Sequence, residues 1–298
     1  MNAVTLLDGS IGQELVKRAG DRPTPLWSTT VMMEKPGLVG ELHRDYFAAG
    51  ASVATTNSYA VLRDRLVRAG IEDRFEALLE AAVTGAVEAR DAHGAGRVAG
   101  SLGPLQASYR PDLCPEPEEA APAYAEIAQA MGNRVDLLLI ETVVSVKHAK
   151  GALMGVRDAG KPIWLAVSTE DHDGSRLRSG EALADMADVV SAHAPDAVLI
   201  NCTRPEVVSD ALEIVKGFGR PFGAYANGFV EISQGFLEAA PTVDALKERA
   251  DMGPRDYADF VMGWVGQGAT IVGGCCEITP AHIAEIATRL TAAGHRIV

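Results

Sequence analysis

Cysteine is scarce in this chain of 298 residues, which contains only Cys114, Cys202, Cys275 and Cys276. Four cysteines at such uneven spacing are too few to form the disulfide framework of a chain of this size. In a reducing compartment, grouped cysteines favour a metal site or catalysis instead. Cys114 has no obvious partner, so we interpret it as a small packing residue.

The sequence also has few positively charged residues and few long apolar runs. Lys and Arg number 27 against 40 Asp and Glu, which gives a formal net charge of −13, and no basic cluster interrupts this acidic background. This balance argues against nucleic acid and anionic membrane surfaces as partners. The first residues have no basic segment typical of a secretory leader, and no apolar stretch reaches membrane-spanning length. We therefore expect a cytoplasmic protein.

The composition is otherwise that of a globular chain, with 47% hydrophobic and 22% charged residues. Such a chain buries a substantial core rather than remaining disordered. Its length lies within the range of single α/β barrels, and no linker divides it. We expect one domain that spans residues 1–298.

Eight short apolar runs recur along the chain, and helical spacing of apolar residues follows them. The runs are Val4 to Leu7, Ser52 to Thr56, Arg97 to Ser101, Leu137 to Glu141, Ile163 to Ser168, Ala197 to Asn201, Phe222 to Ala226 and Thr270 to Gly274. Nearly continuous apolarity is typical of strands buried on both faces. Eight strands alternating with helices predict an α/β fold, a single (β/α)8 barrel of the TIM type. The alternative is an open doubly wound sheet, but no GxGxxG turn follows the first strand.

Prolines mark several boundaries of the predicted helices. Thr279 followed by Pro280 is typical of an N-cap and a first helical residue, and Pro205 plays a similar part after the sixth strand. The segment from Pro104 to Pro122 is rich in Pro and acidic residues. We predict that this segment forms an elaborated irregular loop after the third strand.

Polar residues follow the strands at the ends where active sites of such barrels lie. Asp8 follows the first strand, Glu141 ends the fourth, Cys202 follows the sixth, and Cys275 and Cys276 follow the eighth. A single strand separates the sixth from the eighth around a barrel. The three cysteines are therefore expected to converge on one rim.

Three converging thiolates would leave one position of a tetrahedral zinc site open, which is the pattern of catalytic zinc. A thiol has an ordinary pKa of about 8.5 and is mostly protonated at neutral pH, whereas zinc ligation removes that proton. Gly273 and Gly274 give the chain freedom to turn, so that the sulfurs of Cys275 and Cys276 can face one ion. The alternative is that these two cysteines are packing residues or a redox pair, and spacing alone leaves both interpretations open.

Ordered motifs then identify a family. The sequence contains GGCC at Gly273 to Cys276, NC at Asn201-Cys202, LLDGSIGQEL near the start, HRDYFAAGASVATTNSY around the second strand, GSLGP after the third, LLLIETV at the fourth and DYADFVMGWVGQGATIVGGCCEITPAHI near the end. Together they resemble the zinc-dependent homocysteine S-methyltransferase family, which includes betaine-homocysteine methyltransferases, S-methylmethionine-dependent enzymes and the homocysteine module of methionine synthases. The resemblance implies a barrel, Zn²⁺ on Cys202, Cys275 and Cys276, and homocysteine as the acceptor that becomes methionine.

The resemblance also implies roles for residues that would bind the acceptor. Asp8 and Glu141 match carboxylates that face the amino group of homocysteine, and the backbone amides of Gly9 and Ser10 are expected to receive its carboxylate. Without the resemblance, Asp8 is equally well a turn residue and Glu141 a salt-bridged strand end.

The methyl-donor side is expected to include Trp27, Tyr59, Tyr225 and Asn227. An aromatic face favours a cationic sulfonium or ammonium group, although packing in the core or rim is the alternative for each aromatic residue. S-methylmethionine or S-adenosylmethionine is the favoured donor, with betaine, dimethylsulfoniopropionate or a methylated corrinoid on another protein as alternatives. The sequence departs from the commoner family pattern at Glu277-Ile278, at Ala226, and at Ser10 and Ile11, near the substrate end.

Two further interpretations concern residues and functions outside this mechanism. No general base is required when a metal supplies the deprotonated nucleophile, so we interpret His43 and His282 as structural. Two rival functions stay open: a barrel lyase that uses Asp8 and Glu141 as acid and base, and a zinc- or thiol-binding sensor without methyltransferase activity.

Overall fold

The computed structural model describes residues 2–20, 24, 26–233, 237 and 247–298. The strands are β1 Ala3–Leu6, β2 Val53–Thr55, β3 Arg97–Leu102, β4 Leu137–Val143, β5 Ile163–Val167, β6 Ala197–Asn201, β7 Phe222–Ala226, β8 Ile271–Gly274 and β9 Arg296–Ile297. The helices are α1 Gly12–Arg18, α2 Ser28–Glu34, α3 Pro36–Ala48, α4 Arg63–Arg68, α5 Phe75–His93, α6 Pro117–Met131, α7 Val146–Val156, α8 Met186–His193, α9 Pro205–Lys216, α10 Pro254–Gly266 and α11 Pro280–Ala292. Among these, none is long and apolar enough to cross a membrane.

The strands form one parallel sheet in the order β2-β3-β4-β5-β6-β7-β8-β1-β9. β1 also meets β2, because the Ser52 N–H donates to the Leu6 carbonyl at 2.7 Å and the Asp8 N–H donates to the Val53 carbonyl at 3.1 Å. A parallel bridge joins Leu7 to Val53 between these bonds. All eight predicted runs are strands, and the alternating α/β architecture is confirmed. The two-residue β9 was not predicted, since it is too short to give an apolar run.

The side chains of the strands alternate between two cores. Leu137 and Leu139 of β4 lie in a smaller cluster made up mostly of strand residues, here called the inner cluster, whereas the intervening Leu138 and Ile140 pack in a larger cluster with helix residues. The inner cluster comprises Leu7, Val53, Ala99, Leu137, Leu139, Trp164, Ala166, Ala197, Leu199, Tyr225 and Ile271. Because side chains alternate along a strand, Glu141 shares the inner face of Leu137 and Leu139, at the carboxyl end of β4.

The predicted loop from Pro104 to Pro122 is wrong in its second part, where α6 begins at Pro117 and contains Pro122. Proline is well suited to the first helical position, where its missing N–H is not needed. Close packing then holds the helix despite Pro122. A Cβ on Gly155 of α7 would lie 2.6 Å from the Cβ of Tyr124 in α6, so the two helices approach each other where α7 has no side chain.

The predicted helix starts are confirmed at Pro205 and Pro280. Thr279 and His282 form a capping box at the start of α11. The second ring nitrogen of His282 lies 3.0 Å from the Met252 carbonyl oxygen. His282 therefore has the structural role expected from the sequence.

Candidate metal and substrate site

Three cysteines meet at the carboxyl ends of β6 and β8. The Sγ atoms of Cys202, Cys275 and Cys276 all lie within 4.8 Å of one another, and none of the three forms a disulfide. In a tetrahedral centre with Zn–S bonds of about 2.3 Å, the sulfurs are roughly 3.8 Å apart. The three thiols are therefore close enough to share one ion.

Strained backbone places the first of these sulfurs. Cys202 directly follows β6 with φ +49°, and the neighbouring Thr142 has φ +57°. Such angles are uncommon for residues other than glycine and tend to cluster at functional sites. The Thr142 hydroxyl donates to the Cys202 sulfur at 3.4 Å, so the strained residue near the end of β4 contacts the strained turn after β6.

Close packing fixes the chain that leads to the other two sulfurs. A Cβ on Gly274 would lie 2.1 Å from Cγ2 of Ile278, and a Cβ on Gly273 would lie 2.5 Å from Cβ of Leu7. Neither glycine has a positive φ. These positions thus require glycine for close approach rather than for conformational freedom, which corrects the reason given from the sequence.

The turn beyond the cysteine pair is held by polar contacts. Glu277 has φ +66°, and its buried carboxylate pairs with Lys17 of α1. The Glu277 N–H donates to Oε1 of Gln13 at 3.0 Å. A departure from the commoner family pattern at Glu277 therefore coincides with contacts that tie α1 to the cysteine turn.

The three thiols differ in acidity, because hydrogen bonding to Cys202 and burial raise the pKa values of Cys275 and Cys276, whereas that of Cys202 is lowered. Burial alone would raise the pKa of the Cys202 thiol, but hydrogen bonds from Cys275 and Cys276 outweigh burial and hold that pKa well below its ordinary value. Soft thiolate ligands favour zinc over the hard cations that prefer oxygen. The residues present therefore fit the predicted zinc.

Asp8 lies just beyond β1 and is almost completely buried. Its carboxylate accepts the Thr55 N–H at 2.6 Å and the Thr55 hydroxyl at 2.8 Å. Burial, with a smaller contribution from Glu141, raises the pKa of Asp8 from 3.8 to about 8. Without a cation nearby, this carboxyl is thus reluctant to ionise.

Glu141 is a second buried carboxyl in the same pocket. It accepts hydrogen bonds from the Ser101 hydroxyl and, at 3.0 Å, from the Tyr225 hydroxyl. Burial is the main reason why its pKa rises from 4.5 to about 7. An ammonium group beside Asp8 and Glu141 would favour the ionised form of both carboxyls, because opposite charge lowers a carboxyl pKa.

One pocket joins these groups, with about 900 Å³ of open space that includes its mouth toward solvent. Ten of the eleven predicted site residues line it, namely Asp8, Gly9, Ser10, Trp27, Tyr59, Glu141, Cys202, Tyr225, Cys275 and Cys276. Asn227 does not line it. Asn227 is fully buried just after β7, and within the described chain neither polar atom of its side chain has a hydrogen-bond partner.

The loop from Asp8 to Ser10 differs from prediction in one detail. The Ser10 N–H already donates to the Ile278 carbonyl at 2.8 Å, so this amide is not free to receive a carboxylate. A Cβ on Gly9 would lie 2.1 Å from the same carbonyl oxygen, which explains the glycine. Gly9 remains as the candidate amide of the predicted pair.

Aromatic residues form another wall of the pocket. The rings of Trp27 and Tyr59 stack with centroids 6.0 Å apart and planes 13° apart. Tyr225, which was expected near the donor, instead bonds to Glu141. Tyr109 also lines the pocket, with φ +60°, and packs with Cys202.

Sequence reasoning missed several of the lining residues, among them Tyr109 and Ser101. Tyr109 falls inside the segment predicted as an irregular loop, where no periodicity indicates which way a side chain points. Ser101 could have been found, since it lies two residues beyond Ala99, an inner-face residue of β3. The alternation along that strand therefore predicts that Ser101 faces the same interior as Glu141.

Comparison with known proteins gives a consistent result. The sequence profile of the family described as homocysteine S-methyltransferase matches residues 5–290. Homocysteine S-methyltransferase YbgG of Bacillus subtilis is 28% identical over 95% of this chain and 93% of its own length. The Escherichia coli homocysteine S-methyltransferase is 29% identical over 96% and 95%.

A solved structure agrees with these relatives. The metallated form of the homocysteine methyltransferase MmuM from Escherichia coli superposes with a TM-score of 0.80 at 28% identity, covering 96% of each chain. A selenocysteine methyltransferase of Astragalus bisulcatus is 26% identical over 94% of this chain and 90% of its own length. The profile match extends from β1 to α11 and includes every predicted site residue. The chain therefore belongs to the homocysteine S-methyltransferase family.

Proposed function

We propose that the protein transfers a methyl group from a small cationic donor to the thiol of homocysteine, giving methionine, with zinc held by Cys202, Cys275 and Cys276. The observation that carries this proposal is a set of three free thiols, within 4.8 Å of one another, in the same pocket as two buried carboxylates. When bound, zinc would keep an acceptor thiol deprotonated at neutral pH. A new S–CH₃ bond forms as the donor's bond to that methyl breaks, and the donor leaves as a neutral molecule.

The acceptor is defined by its amino acid end. Asp8 and Glu141 hold the ammonium group, each carboxylate being fixed in place by a neighbouring strand through Thr55 or Ser101. The Gly9 amide receives the carboxylate. This arrangement selects a thiol that is also an α-amino acid over a simple alkyl thiol, because a simple thiol has no ammonium group for the two carboxylates to bind.

The donor binds against the aromatic wall. Trp27 and Tyr59 line the pocket with stacked rings, and the guanidinium of Arg65 lies 5.5–5.8 Å from the two ring centroids. Aromatic surface that Arg65 does not cover would attract a sulfonium or quaternary ammonium group. We favour S-methylmethionine or S-adenosylmethionine, with betaine and dimethylsulfoniopropionate as alternatives. We also propose that Asn227, which is buried and does not itself line the pocket, helps to orient the ligands. Holding the sulfur and the methyl carbon in line supplies most of the catalysis.

Three wider proposals accompany the activity. The bonds between β1 and β2 support a closed (β/α)8 barrel, with β9 as an addition at its rim. The core clusters run across the whole sheet, which supports a single domain. Free thiols at a metal site need a reducing compartment, which supports a cytoplasmic location.

A donor panel tests the proposed function. Bound zinc is measured first, and then methionine formation from homocysteine with each donor, for the native protein, Cys276→Ala and the control Cys114→Ser. We expect activity with at least one cationic donor, its loss together with zinc in Cys276→Ala, and native behaviour in Cys114→Ser. Zinc and homocysteine binding without turnover of any donor would favour a sensor, and methionine formation that survives in Cys276→Ala would overturn the role of the zinc site.

A further inference from the structure

A buried histidine lies behind the acceptor end of the pocket. His43, in the middle of α3, is completely buried, and within the described chain neither of its ring nitrogens has a hydrogen-bond partner. A neutral imidazole always carries one N–H donor and one acceptor. Leaving such groups buried and unpaired is costly, and most buried polar atoms avoid it. His43 therefore needs an explanation beyond packing.

Its polar neighbour is the carboxyl proposed to hold the acceptor. Nδ1 of His43 lies 4.0 Å from Oδ2 of Asp8, which is beyond hydrogen-bond length. That oxygen already accepts the Thr55 N–H at 2.6 Å, but a carboxylate oxygen can accept a second hydrogen bond. A movement of about 1 Å would bring His43 into a normal hydrogen bond with Asp8.

The same helix supports the rest of this loop. The Tyr46 hydroxyl, one turn beyond His43, lies 2.9 Å from the carbonyl oxygens of both Ser10 and Ile278. A Cβ on Gly9 would lie 2.9 Å from that hydroxyl. α3 thus places Tyr46 against the end of the loop and His43 against its start at Asp8.

His43 is neutral, because burial lowers its pKa to about 4. A neutral donor can hold a carboxylate without cancelling its charge. That charge stays available to an ammonium group on the other side of Asp8.

We propose that His43 is a positioning residue, which donates Nδ1–H to Oδ2 of Asp8 when the ammonium group of the acceptor binds. In the absence of the acceptor, Asp8 prefers its neutral form and the contact stays long. Acceptor binding ionises Asp8, and the resulting carboxylate accepts a hydrogen bond from His43 more strongly than the neutral carboxyl does. The contact between His43 and Asp8 therefore shortens only in the complex. This inference rests on the proposed function, since it requires an amino acid at Asp8.

Three substitutions of His43 distinguish positioning from packing. His43→Leu removes both nitrogens but keeps apolar bulk. His43→Asn keeps an N–H donor near the place of Nδ1, whereas the amide of His43→Gln reaches the place of Nε2 instead. His148→Leu is the matched control, because it removes a buried imidazole whose partners are Tyr124 and Val144 rather than Asp8.

The experiment uses zinc-loaded protein and two readouts: calorimetric titration with methionine, and steady-state kinetics with homocysteine and the donor. We expect His43→Leu to weaken methionine binding and raise the KM for homocysteine by about 10- to 100-fold, the range of a hydrogen bond to a charged group. The donor KM and kcat should change less than about threefold, which is below the effect of one such bond. His43→Asn should recover most of the affinity for methionine, whereas His43→Gln should not. His148→Leu should not show the selective loss of acceptor affinity seen in His43→Leu.

Several outcomes would overturn the inference. One is native affinity in His43→Leu, and another is equal loss in His43→Asn and His43→Leu. If His43→Leu does not fold, the comparison of His43→Asn with His43→Gln decides, because a packing role predicts no preference for a donor at the place of Nδ1. If the native protein binds neither methionine nor homocysteine, the proposed function fails and this inference fails with it. If the native protein binds them and the His43 substitutions do not change the affinity, this inference alone is overturned.

Discussion

Replacing Asp8 with Asn should weaken acceptor binding and flatten its pH dependence. The pKa of Asp8 is about 8, so ionising it costs about 1.4 kcal/mol for each pH unit below that value. Because the ammonium group of the acceptor needs the carboxylate, the affinity of the native protein should fall by up to about tenfold per pH unit from pH 8 to pH 6. Glu141, with a pKa of about 7, should steepen the fall below pH 7.

The magnitude for the variant follows from the contact that it removes. A hydrogen bond to a charged group contributes about 1.5–3 kcal/mol, so Asp8→Asn should raise the dissociation constant about 10- to 100-fold at pH 8. Between pH 7 and 8 the variant should show little pH dependence. Its amide oxygen still accepts from Thr55, which keeps the loop in place.

Calorimetric titration of zinc-loaded protein with methionine measures this effect at pH 6, 7 and 8. Methionine carries the amino acid end of the acceptor but no thiol, so thiol ionisation does not contribute. Asp158→Asn is the matched control, since the Asp158 side chain is 84% exposed and does not line the pocket. A native affinity that stays constant from pH 6 to 8, or native affinity in Asp8→Asn at pH 8, would refute the assignment of Asp8.

Three further predictions concern stability and the donor. Between pH 4 and 8 the unfolded chain has lost the Asp8 proton while the folded protein keeps it, so the contribution of Asp8 to native stability falls as pH rises through this range. Asp8→Asn should therefore melt at a higher temperature than the native protein at pH 8. In thermal denaturation this difference should shrink toward pH 4. Gly274→Ala should lower the free energy of unfolding by about 1–3 kcal/mol in urea titrations, because its Cβ would lie 2.1 Å from Ile278. The Cβ of the control Gly263→Ala in α10 meets nothing within 4 Å, so this variant should be about 0.5–1 kcal/mol more stable than the native protein. Equal stability of the two variants would contradict the packing argument. Trp27→Ala should raise the KM for a cationic donor by about 2- to 30-fold in steady-state assays, which is the range of a cation–π contact. Methionine binding should not weaken. An unchanged donor KM would show that Trp27 does not belong to the donor site.

The sequence was most informative where strands are continuous. Runs such as Leu137 to Glu141 predict a strand, and the alternation from Leu137 to Leu139 puts Glu141 on the same face, but its role in binding an ammonium group came from the resemblance to the family. The three cysteines converge because the sheet brings the ends of β6 and β8 together, which their separation along the chain does not reveal.

The errors lie where tertiary contacts override local signals. Pro122 indicates a loop, but the close contact of α6 with Gly155 keeps it helical. Ser10 matches the motif expected to bind a carboxylate, yet its amide is used by Ile278 from the other end of the chain. No local pattern could have shown that contact. Tyr109 reaches the cysteines from an irregular segment, where spacing carries no directional information.

The proposed function depends on a metal that the three cysteines hold and that activates the acceptor thiol. The most direct test removes zinc from the native enzyme with a chelator, restores it, and measures methionine formation from homocysteine and S-methylmethionine, or the best donor of the panel, at each stage. We predict that activity disappears with the zinc and returns in proportion to the zinc that rebinds. A stripped enzyme that still forms methionine at the native rate would contradict it.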